Sequence, residues 1–123
     1  DMNMYDAIKG KRHYLPENKV KYYMYQLLKS IDHMHRNGIF NRDIKPENIL
    51  ISEDHVKLAD LDHAEAYTPS NLTLNTYRRG GTGPPSAADD GYYGYKMDLW
   101  GVGCVLFEVI CLFPLFPGND EVD

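Results

Sequence analysis

Asp43, Lys45, Asn48 and Asp60 carry side chains that can do chemistry, and they stand close together in the chain. A carboxylate can take a proton from a hydroxyl or hold a hard cation, and an amide oxygen is a neutral ligand for the same cation. A lysine ammonium can neutralise charge on an anionic group. Taken singly, an Asp or Asn here would read as a turn or cap residue. The joint spacing raises them above that reading. Asp43, Lys45 and Asn48 share one short stretch stiffened by Pro46, and Asp60 follows after two apolar runs.

Those runs, Ile49–Ile51 and Val56–Leu58, are joined by Ser52-Glu53-Asp54-His55, which predicts a strand pair between Asn48 and Asp60. Upstream, Leu15-Pro16-Glu17 opens a helix expected to run to about Asn37, with Gly38 just past its end. Val20, Tyr23, Met24, Leu27, Leu28, Ile31 and Met34 recur at three- and four-residue intervals, predicting one buried stripe. His33 and His35 are two apart and point in different directions on a helix, so packing and solvent contact are expected rather than a metal site. A second helix is expected over Lys96–Ile110, too apolar all round to lie on a surface. Cys104 and Cys111 within it read as small buried apolar residues rather than a disulfide or metal pair. Tyr92, Tyr93 and Tyr95 lack a basic companion patch, so packing or turn placement is expected rather than base stacking. Residues 68–91 are rich in Gly, Pro, Ser, Thr and Asn with no apolar period, which reads as a loop.

The 123 residues are enough for one domain. A net charge of −5 argues against a nucleic-acid surface. Val102–Leu112 is too short to cross a bilayer and no secretory signal is visible, so the expectation is no membrane partner and a cytoplasmic or nuclear location.

Asn41-Arg42-Asp43, with Lys45, Asn48 and Asp60-Leu61-Asp62, resembles the H-R-D-x-x-x-x-N catalytic loop and D-F-G of eukaryotic protein kinases. Asn41 stands where the family has histidine, and Leu61 and Asp62 where it has phenylalanine and glycine. Asp98-Leu99-Trp100-Gly101-Val102-Gly103 is similar to the D-x-W-x-x-G start of kinase helix F. Flanks such as Asp1–Tyr5, Tyr95–Trp100 and Pro114–Gly118 resemble the MAK/MOK-like (RCK) branch of the CMGC group. The resemblance implies an α+β, mainly α, protein-kinase-like fold: a partial C-lobe with helices E and F, the catalytic loop and short β hairpins. Residues 1–123 would be a partial kinase domain without its N-lobe and C-terminal helices. It implies a Ser/Thr kinase using ATP and Mg²⁺ on protein substrates, with an upstream activating kinase as a further partner. Asp43 would be the base, Lys45 the phosphate neutraliser that also contacts ATP, and Asn48 and Asp60 the metal ligands. Arg42 would pair with phosphate on the activation segment, Asp98 would hold the loop backbone, and Trp100 would pack into the lobe core. A rival reading is a catalytically inactive pseudokinase scaffold, because Asp62 adopts the backbone angles of the D-F-G glycine less readily.

Apart from Asn41, the departures from the family pattern begin at Leu61 and stop near Asp90. The genetic code offers a single cause. With suitable codons for Leu61–Ala87 and one base restored in the first, the neighbouring frame reads F-G-S-C-R-S-V-Y, continues through T-E-Y, and ends W-Y-R-A-P-E-C. That string resembles an activation segment of the same branch. The expectation for 61–89 is therefore an aberrant activation segment, one whose residues would lie outside the core.

Overall fold

The computed structural model describes residues 2–59, 65–66 and 92–116. The longest early element is helix α2, Glu17–Arg36, which follows a short helix α1, Met4–Ile8. Pro16 occupies the N-cap of α2, Glu17 lies in its first turn, and His33, His35 and Arg36 lie in its last, as the helix dipole favours. It stops at Asn37, whose side chain donates to the His33 carbonyl at 2.7 Å, and Gly38 takes the left-handed φ of +73° that ends it. Val20, Tyr23, Met24, Leu27 and Ile31 are buried as the stripe requires. Leu28 is not: it is 45 % exposed, because it lies at the edge of the stripe, about 100° around the helix from Leu27 near its centre. Met34 is only partly buried.

Strands β1 (Met2–Asn3), β3 (Ile49–Ser52) and β4 (His55–Leu58) form an antiparallel sheet in the order β1-β3-β4. Ile49 faces Leu58 and Ser52 faces His55, so the expected strand pair forms with a two-residue turn. Glu53 and Asp54 both have positive φ (51° and 65°), the twist that a tight hairpin turn requires. Asp54 is the less strained choice there, and α2 holds it in place. Tyr23 donates its hydroxyl to Asp54 Oδ1 at 2.9 Å, and Gln26 donates to the Asp54 carbonyl at 2.9 Å while accepting from the Val56 amide at 3.0 Å. A second pair joins β2 (Ile39–Phe40) to β5 (Glu65–Ala66), with Ile39 opposite Ala66. Thus two residues of the stretch expected to be aberrant do join a strand pair; ladder bonds are made by backbone atoms and ask little of the side chains. The rest of the stretch expected to be aberrant lies outside the described residues.

Helix α3 spans Tyr92–Cys111, four residues longer at its start than the apolar pattern indicates. One side is buried, with Met97, Asp98, Val102, Val105 and Val109 turned inward. This corrects the expectation of burial all round, since Leu99, Leu106 and Ile110 are exposed. Both cysteines are free, but they are only partly buried where buried residues were expected; a helix seated by one face leaves its flanks half covered. The core joins Met4, Leu27, Ile31, Ile44, Ile49 and Val56 to the inward face of α3. Gly101 allows the close approach of α3 to the loop above it, for a methyl group there would lie 2.8 Å from Ile44 Cβ. Among the described residues, no helix is long and apolar enough to cross a membrane.

Candidate functional site

Between β2 and β3 the chain runs through Asn41–Asn48 without regular structure until a single 3₁₀ turn at Pro46–Asn48. What fixes this loop is one carboxylate from α3. Asp98 is 1 % exposed and accepts from the Asn41 amide and the Arg42 amide, each at 2.8 Å. His35, near the end of α2, lies 2.8 Å from Asp98 Oδ2 through its Nε2. Two helices and the loop therefore meet at one buried acid. Such a group is tolerable only when its lone pairs are used, as they are here.

Arg42 sits at φ +69°, a left-handed conformation that costs a side-chain-bearing residue energy. It is buried, with its guanidinium 5.7 Å from the centre of the Phe40 ring. Past it, Asp43 is partly exposed. Asn48 reaches back across the 3₁₀ turn and donates through Nδ2 to the Asp43 carbonyl at 3.1 Å and to Asp43 Oδ2 at 3.0 Å. Lys45 extends alongside, its Nζ 3.9 Å from Asp43 Oδ1. Asp43, Lys45 and Asn48 thus converge on one partly open spot, and Arg42 and Asp98 lie beneath it. Asp60 lies outside the described residues, as do Leu61 and Asp62. Trp100 is partly buried and stacks on Phe116, with ring centres 5.9 Å apart.

His35 is the site-forming residue that sequence reasoning missed, and a signal for it existed. It falls four residues after Ile31, so it continues the buried stripe of α2 rather than facing solvent. It packs edge-on against Tyr95 and Phe40, with ring centres 4.8 and 6.2 Å away. Tyr95 accordingly belongs to packing, as expected. Lower on α3, Glu108 is partly buried; burial first, and then the negative charge of Glu47, push its carboxyl above the usual range. The Cys104 thiol is also pushed up, by burial and then by the Glu108 charge.

A carboxylate, an ammonium and an amide held on a loop by a buried helix carboxylate fit a known family. The sequence model of the protein kinase domain matches residues 2–123. The chain belongs to the protein kinase family. It is 52 % identical over 124 residues to the mouse MAPK/MAK/MRK overlapping kinase and 51 % identical to the human one, covering all of this chain and 30 % of each relative. It is 38 % identical to human cyclin-dependent kinase-like 5, again over all of this chain but 13 % of that protein. Its relatives are CMGC-type kinases, as the flanking motifs indicate. Among solved structures, a chain of the yeast RNA Pol II CTD kinase CTDK-1 complex superposes with a TM-score of 0.81 at 27 % identity, over 98 % of this chain and 40 % of that one. The chain thus spans less than a third of the length of these curated relatives.

Proposed function

We propose that this chain is the catalytic-loop portion of the C-lobe of a Ser/Thr protein kinase, whose N-lobe and C-terminal helices lie in other parts of the intact polypeptide. The observation that supports it is the pair of hydrogen bonds that Asn48 Nδ2 donates to Asp43, which ties a potential metal ligand to a potential base. ATP with Mg²⁺ supplies the transferable phosphoryl group and the cations that screen its charge. Asp43 accepts the proton of a protein Ser or Thr hydroxyl as that oxygen bonds to the γ-phosphorus and the bond to the ADP oxygen breaks. Lys45, beside Asp43, neutralises charge on the phosphoryl oxygens. Asn48 and Asp60 would hold the cation: with Nδ2 engaged by Asp43, Asn48 would offer its Oδ1 as the neutral ligand and Asp60 the anionic one. Arg42 pairs with a phosphate placed by an upstream kinase on the activation segment. Trp100, near the middle of α3, packs within the lobe against Phe116. Solution in the cytoplasm or nucleus suits such an enzyme.

The test is phosphate transfer from labelled ATP to a protein substrate by the natural full-length product. Asp43→Ala should lower kcat by roughly 10²–10⁴-fold, the usual contribution of a positioned base. An Asp43→Ala rate equal to wild type would remove the base assignment. A second reading has its own support in Asp62 at the position of the D-F-G glycine: an inactive scaffold that binds partners without transferring phosphate. A folded full-length protein with no transfer would favour it. We also propose that 61–89 is read in a shifted frame. Genomic DNA and transcript that both encode Leu61-Asp62 and Arg79–Ala88 without interruption would exclude this.

A further inference from the structure

We infer that Asn41 is a positioning residue for Asp43, acting through the Asp43 backbone amide. This rests on the phosphoryl-transfer reading above and adds to it the device that aims the base in this chain. Asn41 is 3 % exposed, so its side-chain amide is held among protein atoms rather than water. Its Oδ1 accepts from the Asp43 amide at 3.0 Å, a short side-chain-to-backbone bond spanning two residues.

Three successive amides are thereby captured by side-chain oxygens. Asp98 takes those of Asn41 and Arg42, and Asn41 takes that of Asp43. Within this run Arg42 keeps its left-handed φ of +69°. Strain of that kind persists only where surrounding bonds over-determine it. The Asn41 bond closes the turn on the far side of Arg42, so it sets the angle at which the chain enters Asp43. From the other direction Asn48 grips the Asp43 carbonyl and Oδ2. Asp43 is held at its amide, its carbonyl and its carboxylate, and only the first of these depends on residue 41. The family pattern carries a histidine here, and this chain reaches the Asp43 amide with a smaller, non-titrating group.

The bond is made by a side-chain acceptor, so chemistry and bulk can be separated by substitution. Asn41→Leu keeps volume without an acceptor, Asn41→Ala removes both, and Asn41→Ser keeps a shorter acceptor able to make the same kind of turn. In the natural full-length protein, the Leu and Ala variants should lower kcat about tenfold while KM for ATP changes by less than about twofold. The Ser variant should recover most of the loss. Exchange of the Asp43 amide with deuterium, followed by NMR, should speed up about tenfold in the Leu and Ala variants and stay near wild type in the Ser variant. A wild-type kcat in Asn41→Leu, or an Asp43 amide that exchanges equally fast in wild type and Asn41→Ala, overturns the inference. If the wild-type protein transfers no phosphate, the phosphoryl-transfer reading falls, and the exchange measurement alone decides the role of Asn41.

Discussion

Asp98 and Asp32 make formally similar contacts, and burial separates their consequences. Asp32 accepts from Arg36 Nε at 2.9 Å on the outer face of α2, where both groups are well exposed. Asp98 accepts from two loop amides and meets His35 in a site closed to water. Removing an exposed partner leaves the other to solvent, whereas removing Asp98 leaves two buried donors with nothing to bond. Asp98→Ala should therefore lower unfolding free energy by about 3 kcal/mol or more, and Asp32→Ala by less than about 1 kcal/mol. Urea denaturation of both variants at neutral pH gives the comparison; equal losses would mean that Asp98 does not carry the loop. Asp98, Asp43, Lys45 and Asn48 were legible in the sequence because their spacing is local to single motifs. For His35 the stripe of α2 signalled burial alone; its bond to Asp98 was not legible, because that partner lies 63 residues away and only the packing of α2 on α3 brings the two together.

At the scale of elements, the hairpin of β3 and β4 is positioned by α2 through the shared core, and its turn is held by polar contacts. Tyr23, Gln26 and Lys19 converge on the turn, with Lys19 Nζ 3.8 Å from Asp54 Oδ1. Burial first, then the bond to Asp54 and the Asp54 charge, push the Tyr23 hydroxyl up from 10.0 to about 12. Between these values the unfolded chain releases the Tyr23 proton and the folded chain retains it, so rising pH favours unfolding. Tyr23 therefore contributes its full stability below pH 10.0 and loses it as pH rises through about 12. Tyr23→Phe should cost about 1 kcal/mol at neutral pH, and the gap to wild type should close across that window. Paired urea titrations on either side of it measure this; a gap that stays constant would mean that the hydroxyl bond does not form. The hairpin itself was readable from Ile49–Ile51 and Val56–Leu58, and α2 from its stripe and Gly38. Helix α1 escaped notice because five residues give too short a period; its sign was the cap, Asn3 Oδ1 accepting from the Asp6 amide at 2.7 Å. The first turn of α3 escaped because Gly94 sits inside it. That glycine is required by the Phe40 ring, which would lie 2.5 Å from an added methyl group.

At the scale of the whole molecule, the described residues present an apolar face. Tyr14, Leu106, Ile110, Phe113 and Phe116 are exposed, and Tyr14, Leu15, Val20, Met24, Leu106 and Ile110 line a cavity of about 550 Å³ between the start of α2 and the end of α3. Relatives about three times as long have further chain with which to cover such a surface, and the 123 residues contain neither a G-x-G-x-x-G loop nor a V-A-I-K lysine. Phosphoryl transfer depends on positioning from both sides: in the proposed function the loop of Asp43 and Asn48 would aim the acceptor and one metal ligand, while a glycine-rich loop and a lysine would hold the donor phosphates. A chain with one side alone loses most of the effective concentration on which the reaction relies. The purified 123-residue chain should accordingly transfer no phosphate to a basic protein substrate above an Asp43→Ala control, and should bind Mg·ATP weakly. Joining it to a segment that supplies the donor-side residues should restore a rate that depends on Asp43. Turnover by the isolated chain that exceeds its Asp43→Ala control would show that the loop, pinned by Asp98 and Asn48, suffices to hold both substrates.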